Sequence, residues 1–207
     1  MPMSRLPAAQ RKSQLLDTAA ALFAEKGYSG ATTAELAKAA GVTEPIIYRH
    51  FASKKDLFVA LIDRTGERTI DLWERELSGA KSPSERLQKL IGANPMVSER
   101  GRGVYRVIVQ AMTEIEDEDI MAAIRRHIES LHRFLADEVD KAQREGVVSK
   151  AFSPEITAWM LLHLGLGYGM VAPLGVPNHA RDQHGAHVRD VIARIMLVGV
   201  RRMEQGE

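Results

Sequence analysis

Cysteine is absent from the chain, which excludes a disulfide framework, a thiolate metal site and a cysteine nucleophile. The sequence also lacks a Gly-x-Ser-x-Gly nucleophile elbow and a phosphate-binding glycine loop, two signatures that many enzymes carry. No apolar run of the secretory type stands in the opening residues MPMSRLPAAQRKSQLL, so we expect a cytoplasmic protein. An enzyme is therefore not expected, and neither is a cofactor or a resident metal ion.

Two local clusters offer only weak alternatives to that interpretation. His179, His184 and His187 lie close together in the sequence, but no fixed carboxylate partner accompanies them, so a metal site is disfavoured. The acidic run Glu114–Asp119 is better explained as capping and solvating a helix junction than as a cation site.

One stretch, residues 156–176, carries no charge and is long enough to span a bilayer. It contains His163 and Pro173, and no basic flank precedes it, which disfavours a membrane span. A helix that is apolar all round is equally what a buried core or a subunit interface requires. We therefore expect this stretch to be buried in a globular protein, without a membrane partner.

Charge is distributed unevenly along the chain. The first sixty residues hold eight Lys and Arg against five Asp and Glu, whereas the whole chain has a net charge of only +1. An excess of positive charge in the first sixty residues is typical of a small nucleic-acid-binding head attached to a neutral body.

Helical periodicity runs through almost every segment, and no alternating strand pattern is convincing. Near the N-terminus, an apolar stripe ends at Gly27, at a position where the end of a helix favours a residue in the left-handed conformation. Thr32 and Glu35 form a capping box for a second helix, Gly41 interrupts it, and Thr43 is placed to cap a third. A fourth helix is predicted from Ser53 to about Leu77. Proline and glycine punctuation then predicts helices at about 82–92, 104–117, 119–145, 154–172 and 184–204.

The segment TTAELAKAAGVTEPIIYRHF, residues 32–51, predicts two short helices joined by a turn that contains glycine. This is the arrangement of a helix-turn-helix, whose second helix enters the major groove of DNA. An ordinary helical corner has the same packing needs but not the same surface chemistry. Here the outward residues of the second helix supply donors, acceptors and a positive charge: Thr43, Glu44, Tyr48, Arg49 and His50.

Four groups of residues with fixed spacing extend this pattern: Glu25-Lys26-Gly27-Tyr28, Thr32-Thr33, Ala37-x-x-Ala40-Gly41-Val42 and Tyr48-x-His50-Phe51-x-x-Lys54-x-x-Leu57. They resemble the DNA-binding domain of the TetR family of one-component bacterial repressors. The resemblance implies an all-α fold, with a three-helix helix-turn-helix DNA-binding domain at residues 1–52 and a larger helical ligand-binding and dimerisation domain at residues 53–207. It implies a sequence-specific repressor that a small hydrophobic effector releases from a palindromic double-stranded operator, although activation stays open.

The resemblance also assigns phosphate contacts. Thr33, Tyr48 and Lys54 fall where family members touch phosphates, and a hydroxyl, a phenol and an ammonium can each hold a phosphate oxygen. A second role stays open for Tyr48, which can instead cap the small core. Lys55 is either a further phosphate contact or a solvated charge.

Base contacts are expected from the recognition helix. Arg49 can pair bidentately with guanine, and Glu44 can accept a hydrogen bond from the cytosine amino group. An acidic side chain near phosphates lowers affinity unless a cytosine faces it, so Glu44 is predicted to serve selectivity rather than affinity. For His50, a DNA contact and a packing role are equally open. The full set on or beside this helix is Thr43, Glu44, Pro45, Ile46, Arg49 and His50.

A single head would bind weakly, so two heads on a two-fold axis are expected to read half-sites about one helical turn apart. The predicted homodimer interface is the last two helices, residues 154–172 and about 184–203. The first is apolar and contains Gly165-x-Gly167-x-Gly169, which permits close helix approach. The second has an apolar stripe: Val188, Val191, Ile192, Ile195, Met196 and Val198–Val200. These helices could instead form only the monomer core.

The central helices would then hold the effector, as the resemblance implies, and the sequence adds that their interior is apolar and rich in methionine. Each candidate wall residue is also a plausible core residue: Trp73, Leu90, Met96, Tyr105, Val109, Met112, Phe134, Trp159 and His163.

Two alternatives to a regulator remain. A helical carrier of small molecules with a non-functional head would not need the Tyr48, Arg49, His50 and Lys54 constellation. A non-specific architectural DNA-binding protein would need far more positive charge than this head carries.

Overall fold

Every regular element that the computed structural model describes is helical. The structure describes residues 6–92, 99–114 and 116–179, together with His187 and Asp190. The elements are α1 (Ala8–Gly30), α2 (Thr33–Ala40), α3 (Glu44–Tyr48), α4 (Lys54–Leu77), α5 (Pro83–Gly92), α6 (Glu99–Ala111), α7 (Glu118–Arg144), α8 (Pro154–Val171) and a short 3₁₀ turn (Ala172–Leu174). The predicted all-α fold class is confirmed. The helix predicted at 184–204, with its apolar stripe, and Met96 lie outside the described residues.

The described residues fall into two compact units. Unit 1 lies within Met1–Thr65 and Gly103–His127, and unit 2 lies within Gly66–Arg102 and Ile128–Glu207. The residues of α6 from Gly103 onward and those of α7 as far as His127 thus belong to the same unit as α1, α2 and α3. The functional division proposed between residues 52 and 53 stays a prediction.

The caps predicted from the sequence shape the N-terminal helices. Thr32 and Glu35 form the reciprocal capping box of α2. Gly41 ends that helix with φ 66° and ψ 33°, a left-handed conformation that favours glycine. Gly27 also has a positive φ of 75°, but it kinks α1 instead of ending it, because helical residues resume and continue to Gly30. Thr43 stands at the N-cap of α3, yet its side chain makes no capping hydrogen bond, contrary to the prediction.

Aromatic packing closes the core of unit 1. Phe23 of α1 meets Phe58 of α4 edge to face, with ring centroids 5.1 Å apart, and Tyr28 stacks on Phe58 at 4.6 Å. Offset and edge-on pairs of this kind add about 1 kcal/mol each beyond their buried area. They hold the end of α1 against the start of α4, next to the helix-turn-helix.

The junction between α6 and α7 differs from the prediction. The sequence predicts a helix at 104–117, whereas α6 spans Glu99–Ala111. The carboxylate of Asp117 accepts hydrogen bonds from the backbone N–H groups of Asp119 and Ile120, at 3.0 and 3.2 Å, and so caps α7. This cap fixes the start of α7, in agreement with the capping role expected for the acidic run.

In unit 2, a charged pair joins α5 to α7. The guanidinium of Arg86 donates to both carboxylate oxygens of Glu138, at 2.6 and 2.8 Å, and a further N–H donates to the carbonyl of Leu77 at the end of α4. Glu138 is only 3% exposed. Burial is the largest single influence on the pKa of Glu138 and raises it, but the hydrogen bonds and charges of Arg86 and Lys141 together outweigh burial and lower this pKa.

Helix α8 is apolar on all sides, and only one of its faces is covered. Ala158, Leu162 and Gly165 are buried, while an opposite stripe is exposed: Ile156, Trp159, Met160, Leu164 and Met170. Of the described helices, none is long and apolar enough to cross a membrane.

Candidate nucleic-acid interface

The turn between α2 and α3 is built from local hydrogen bonds around Gly41. The N–H of Gly41 donates to the carbonyl of Lys38 at 3.2 Å, and the N–H of Val42 donates to that of Ala37 at 2.9 Å. These bonds satisfy carbonyls that the end of a helix would leave unpaired. The buried side chains of Ala37 on α2 and Ile47 on α3 fill the corner between the helices. The outward face of α3 is thereby fixed relative to α2.

That outward face carries polar and basic groups. Pro45, Tyr48 and Arg49 are exposed and follow the i, i+3, i+4 spacing of one helix face. Tyr48 is 48% exposed, so about half of its side chain is accessible for a contact with DNA. Thr43 is also exposed, at the start of α3.

The remaining residues of the recognition helix are less accessible. Ile46 and His50 are half-buried, and the His50 ring lies 6.5 Å from the ring of Phe51. His50 therefore has both a packing neighbour and an exposed portion, which leaves a DNA contact as a prediction.

A hydrogen-bonded cluster links the start of α2 to α3. The hydroxyl of Thr33 donates to Oε2 of Glu44 at 2.8 Å and lies 3.3 Å from the hydroxyl of Tyr48. We call these three residues the Thr33–Glu44–Tyr48 cluster. All three were predicted as DNA contacts, but nothing in the sequence indicated that they bond to one another. The only available signal was the i, i+4 spacing of Glu44 and Tyr48, which places both on one face of α3.

The two lysines at the start of α4 have intramolecular partners. Nζ of Lys54 donates to the carbonyls of Tyr28 and Ala31, at 3.0 and 3.1 Å, and lies 4.4 Å from the centre of the Tyr28 ring. An ammonium has three donors, so one N–H of Lys54 remains for a phosphate oxygen. Lys55 instead pairs with Asp119 at 2.5 Å and with Asp117 at 3.5 Å.

Burial and charged or hydrogen-bonded neighbours shift pKa values near the helix-turn-helix. The hydrogen bond from Lys26, together with those from Thr32, lowers the pKa of Glu35 to about 2, so the capping box keeps its charge at neutral pH. The hydrogen bond to Asp119 raises the pKa of Lys55. Burial, aided by Asp117 and Glu114, raises the pKa of Tyr28.

The predicted effector residues form separate groups. In unit 2, the rings of Trp73 and Phe134 lie 5.4 Å apart, and Trp73 is buried. Trp159 stacks between His132 and His163, at 4.3 and 5.9 Å, on the exposed side of α8. In unit 1, Tyr105 is buried on α6, and Val109 and Met112 follow it half-buried along the same segment. Leu90 is buried on α5 in unit 2.

One buried histidine, His127, was not among the functional residues predicted from the sequence. His127 on α7 is 3% exposed, and its Nε2 lies 3.0 Å from the hydroxyl of Tyr105. Its Nδ1 has no hydrogen-bond partner. Burial lowers the pKa of His127 to about 4. The sequence carried a signal, because His127 continues the helical spacing of the buried residues Ile124 and Leu131.

Comparisons with known proteins agree with this geometry. A model of the TetR family of bacterial regulatory proteins matches residues 15–61. The nucleoid occlusion factor SlmA of Marinobacter nauticus is 30% identical over 148 residues, which are 72% of this chain and 74% of that protein. The transcriptional activator FasR of Mycolicibacterium smegmatis is 32% identical over 107 residues, 52% of this chain and 49% of FasR, so the match spans about half of that relative.

The fold is shared with solved structures of regulators. A transcriptional regulator from Saccharomonospora viridis, in complex with choline, superposes with a TM-score of 0.75 at 21% identity and covers 96% of this chain and 97% of that one. Salmonella enterica GusR superposes with a TM-score of 0.74 at 21% identity, over 94% of this chain and 97% of that one.

Proposed function

This chain belongs to the TetR family of bacterial regulatory proteins, and we propose that it is a homodimeric repressor that a small hydrophobic effector releases from a palindromic operator. Family membership makes it a helix-turn-helix DNA-binding transcriptional regulator and not an enzyme. The proposed part is the direction of regulation, the dimer and the effector.

The exposed face of α3 carries the proposal. Pro45, Tyr48 and Arg49 share this face, and the helix itself is anchored by the buried Ile47. A guanidinium on such a face can reach the O6 and N7 atoms of guanine, a contact that discriminates between bases by about 1–3 kcal/mol. Tyr48, Thr33 and the remaining N–H of Lys54 supply phosphate contacts, which set the register of the head on DNA. Thr43, Ile46 and His50 complete the proposed contact surface.

The exposed stripe of α8 supports the dimer. Met160, Leu164 and Met170 are each about half exposed on a helix face without charge. A large apolar surface of this kind is characteristic of an interface rather than of a monomer surface. Gly167 lies in the same stripe and would let two copies of α8 approach closely. We assign Trp159 and His163 to this interface, because their stack with His132 lies on the exposed side.

The effector is proposed to bind in unit 2 at the aromatic pair of Trp73 and Phe134. The ring nitrogen of the buried Trp73 has no hydrogen-bond partner, so a ligand that reaches it gains a donor. A choline-bound regulator shares the fold, which supports a small-molecule ligand in this class of protein.

A route for the switch lies within unit 1. The turn between α6 and α7 is tied to the head by the ion pair of Lys55 with Asp119 and by the hydrogen bond from Ser29 to Glu114, at 2.9 Å. A displacement of α6 would therefore act directly on the ends of α1 and α4. By linkage, the effector weakens DNA binding only as far as it prefers the displaced state.

The test is selection of bound duplexes from a random-sequence library, with wild-type protein, Arg49→Ala and Arg125→Ala. Arg125 is an exposed arginine of unit 1 on α7, so its variant matches the change in charge. We expect a two-fold-related motif with wild type and with Arg125→Ala, and a relaxed motif with Arg49→Ala. A wild-type protein that binds any duplex equally, or an unchanged motif with Arg49→Ala, contradicts the proposal. The operator then allows effector candidates to be tested, and transcription that rises on binding would identify an activator.

A further inference from the structure

The Thr33–Glu44–Tyr48 cluster places a negative charge against two groups that are proposed to hold phosphates. Oε2 of Glu44 lies 2.8 Å from the hydroxyl of Thr33, and that hydroxyl lies 3.3 Å from the hydroxyl of Tyr48. Thr33 and Glu44 are half-buried, while Tyr48 extends into solvent. The carboxylate therefore lies beside the DNA-facing surface, behind the two hydroxyls.

The hydroxyl protons in this cluster have defined directions. Thr33 has one hydroxyl proton, and it is donated to Glu44. The hydrogen bond between Thr33 and Tyr48 is then donated by Tyr48. Both protons thus point along a chain that ends at the carboxylate. A phosphate oxygen that accepts from either hydroxyl must first break one of these bonds.

We propose that Glu44 is an affinity-limiting residue, which holds the Thr33 and Tyr48 hydroxyls and repels the phosphate that they would bind. This inference rests on the proposed function, because it takes those hydroxyls as phosphate contacts. The effect is independent of base sequence, since it acts on the backbone. It differs from the expectation in the sequence analysis, where Glu44 reads a cytosine and so changes selectivity.

The size of the effect follows from the charge and the distance. If a phosphate lies about 5 Å from the carboxylate and water screens the pair as in bulk solvent, the repulsion changes a binding constant about threefold to tenfold. A dimer that engages two half-sites experiences this factor twice. The resulting weaker binding to bulk DNA would leave more of the protein free to find its operator.

The experiment compares wild type, Glu44→Gln and Glu116→Gln. The amide oxygen of glutamine can still accept from Thr33, while the charge is removed. Glu116 is an exposed acid of unit 1 between α6 and α7, so Glu116→Gln is the matched change in charge. Dissociation constants are measured by fluorescence anisotropy on the selected operator, on its single base-pair variants and on an unrelated duplex of equal length, at several salt concentrations.

With Glu44→Gln we expect at least about threefold tighter binding to every duplex, by a similar factor, and a steeper salt dependence. Glu116→Gln should change binding much less. The inference is overturned if Glu44→Gln changes affinity only at one base pair, weakens binding, or matches Glu116→Gln. A failure of sequence-specific binding by wild type would overturn the proposed function, whereas the affinity of Glu44→Gln for the unrelated duplex would still decide this inference.

A second variant tests the mechanism. In the Thr33→Ala background the hydroxyl is gone, so Glu44→Ala, which removes both the charge and the acceptor, should give a smaller gain than it gives in wild type. Equal gains in both backgrounds would contradict the hydroxyl-holding part of the inference. Urea unfolding of each variant confirms that differences in binding do not come from lost folding.

Discussion

Mild acid is expected to destabilise this protein through His127. The side chain is 3% exposed, and its hydrogen-bond partner is the hydroxyl of Tyr105 at 3.0 Å. Burial lowers the pKa of His127 from 6.5 to about 4, while the charge of Asp63 opposes this with a smaller effect. The folded protein therefore keeps a neutral imidazole over a pH range in which the unfolded chain would bind a proton.

The sign and the size of the change in stability follow from the difference in the pKa of His127 between the folded and unfolded states. Between pH 6.5 and 4 the unfolded state binds more protons than the folded state, so the free energy of unfolding falls as the pH is lowered. The stabilisation is fully present above pH 6.5, and its total loss at low pH is about 3 kcal/mol. About 2 kcal/mol of it is lost by pH 5, where most carboxylates are still ionised.

The assay is urea unfolding at pH 7.5 and pH 5.0, at one protein concentration, for wild type, His127→Gln and His132→Gln. Wild type and His132→Gln should lose about 2 kcal/mol more on acidification than His127→Gln does. His132 serves as the control because it is only half-buried, beside Trp159. An equal pH dependence of wild type and His127→Gln would refute the argument.

Two further predictions concern unit 2, one on the ion pair of Arg86 with Glu138 and one on the proposed dimer interface. Arg86→Met leaves the carboxylate of Glu138 buried without its bidentate partner, so the free energy of unfolding should fall by about 3 kcal/mol in urea, and Arg86→Met with Glu138→Leu should restore much of it. A loss below about 0.5 kcal/mol for the single variant would contradict this account. Leu164→Glu puts a charge on the exposed stripe of α8 and should raise the dimer dissociation constant at least about tenfold in sedimentation velocity, whereas Phe152→Glu, outside the helix, should not. A dimer that tolerates Leu164→Glu would place the interface elsewhere.

Local features were predictable because neighbours in sequence create them. The capping box of Thr32 and Glu35 needs only a spacing of three residues, and the left-handed Gly41 needs only a residue without a side chain. The capping box and the interruption of the helix at Gly41 were predicted from sequence and are confirmed, and the structure adds the left-handed conformation of Gly41. The predicted end of α6 at residue 117 was wrong, because the helix ends at Ala111, whereas the capping role expected for the acidic run is confirmed at Asp117.

The candidate DNA surface was predicted in composition but not in its contacts. The residues with the right chemistry were identified on α3, and the exposed positions of Tyr48 and Arg49 agree with that prediction. The bond between Thr33 and Glu44 was not foreseen, because eleven residues and the turn at Gly41 separate them. Residue type therefore identified the surface, whereas the packing of α2 against α3 determined which groups are already paired.

The sequence by itself determined the all-α class, the capping box of α2, the turn of the helix-turn-helix and the family, since all of these depend on local spacing and on residue type. Only the tertiary structure decided which polar groups meet. Lys54 pairs with the end of α1, Lys55 with the acidic turn before α7, and His127 with Tyr105. Such partners are distant in sequence, and a side chain's partner depends on which helix the fold brings within about 3 Å of it.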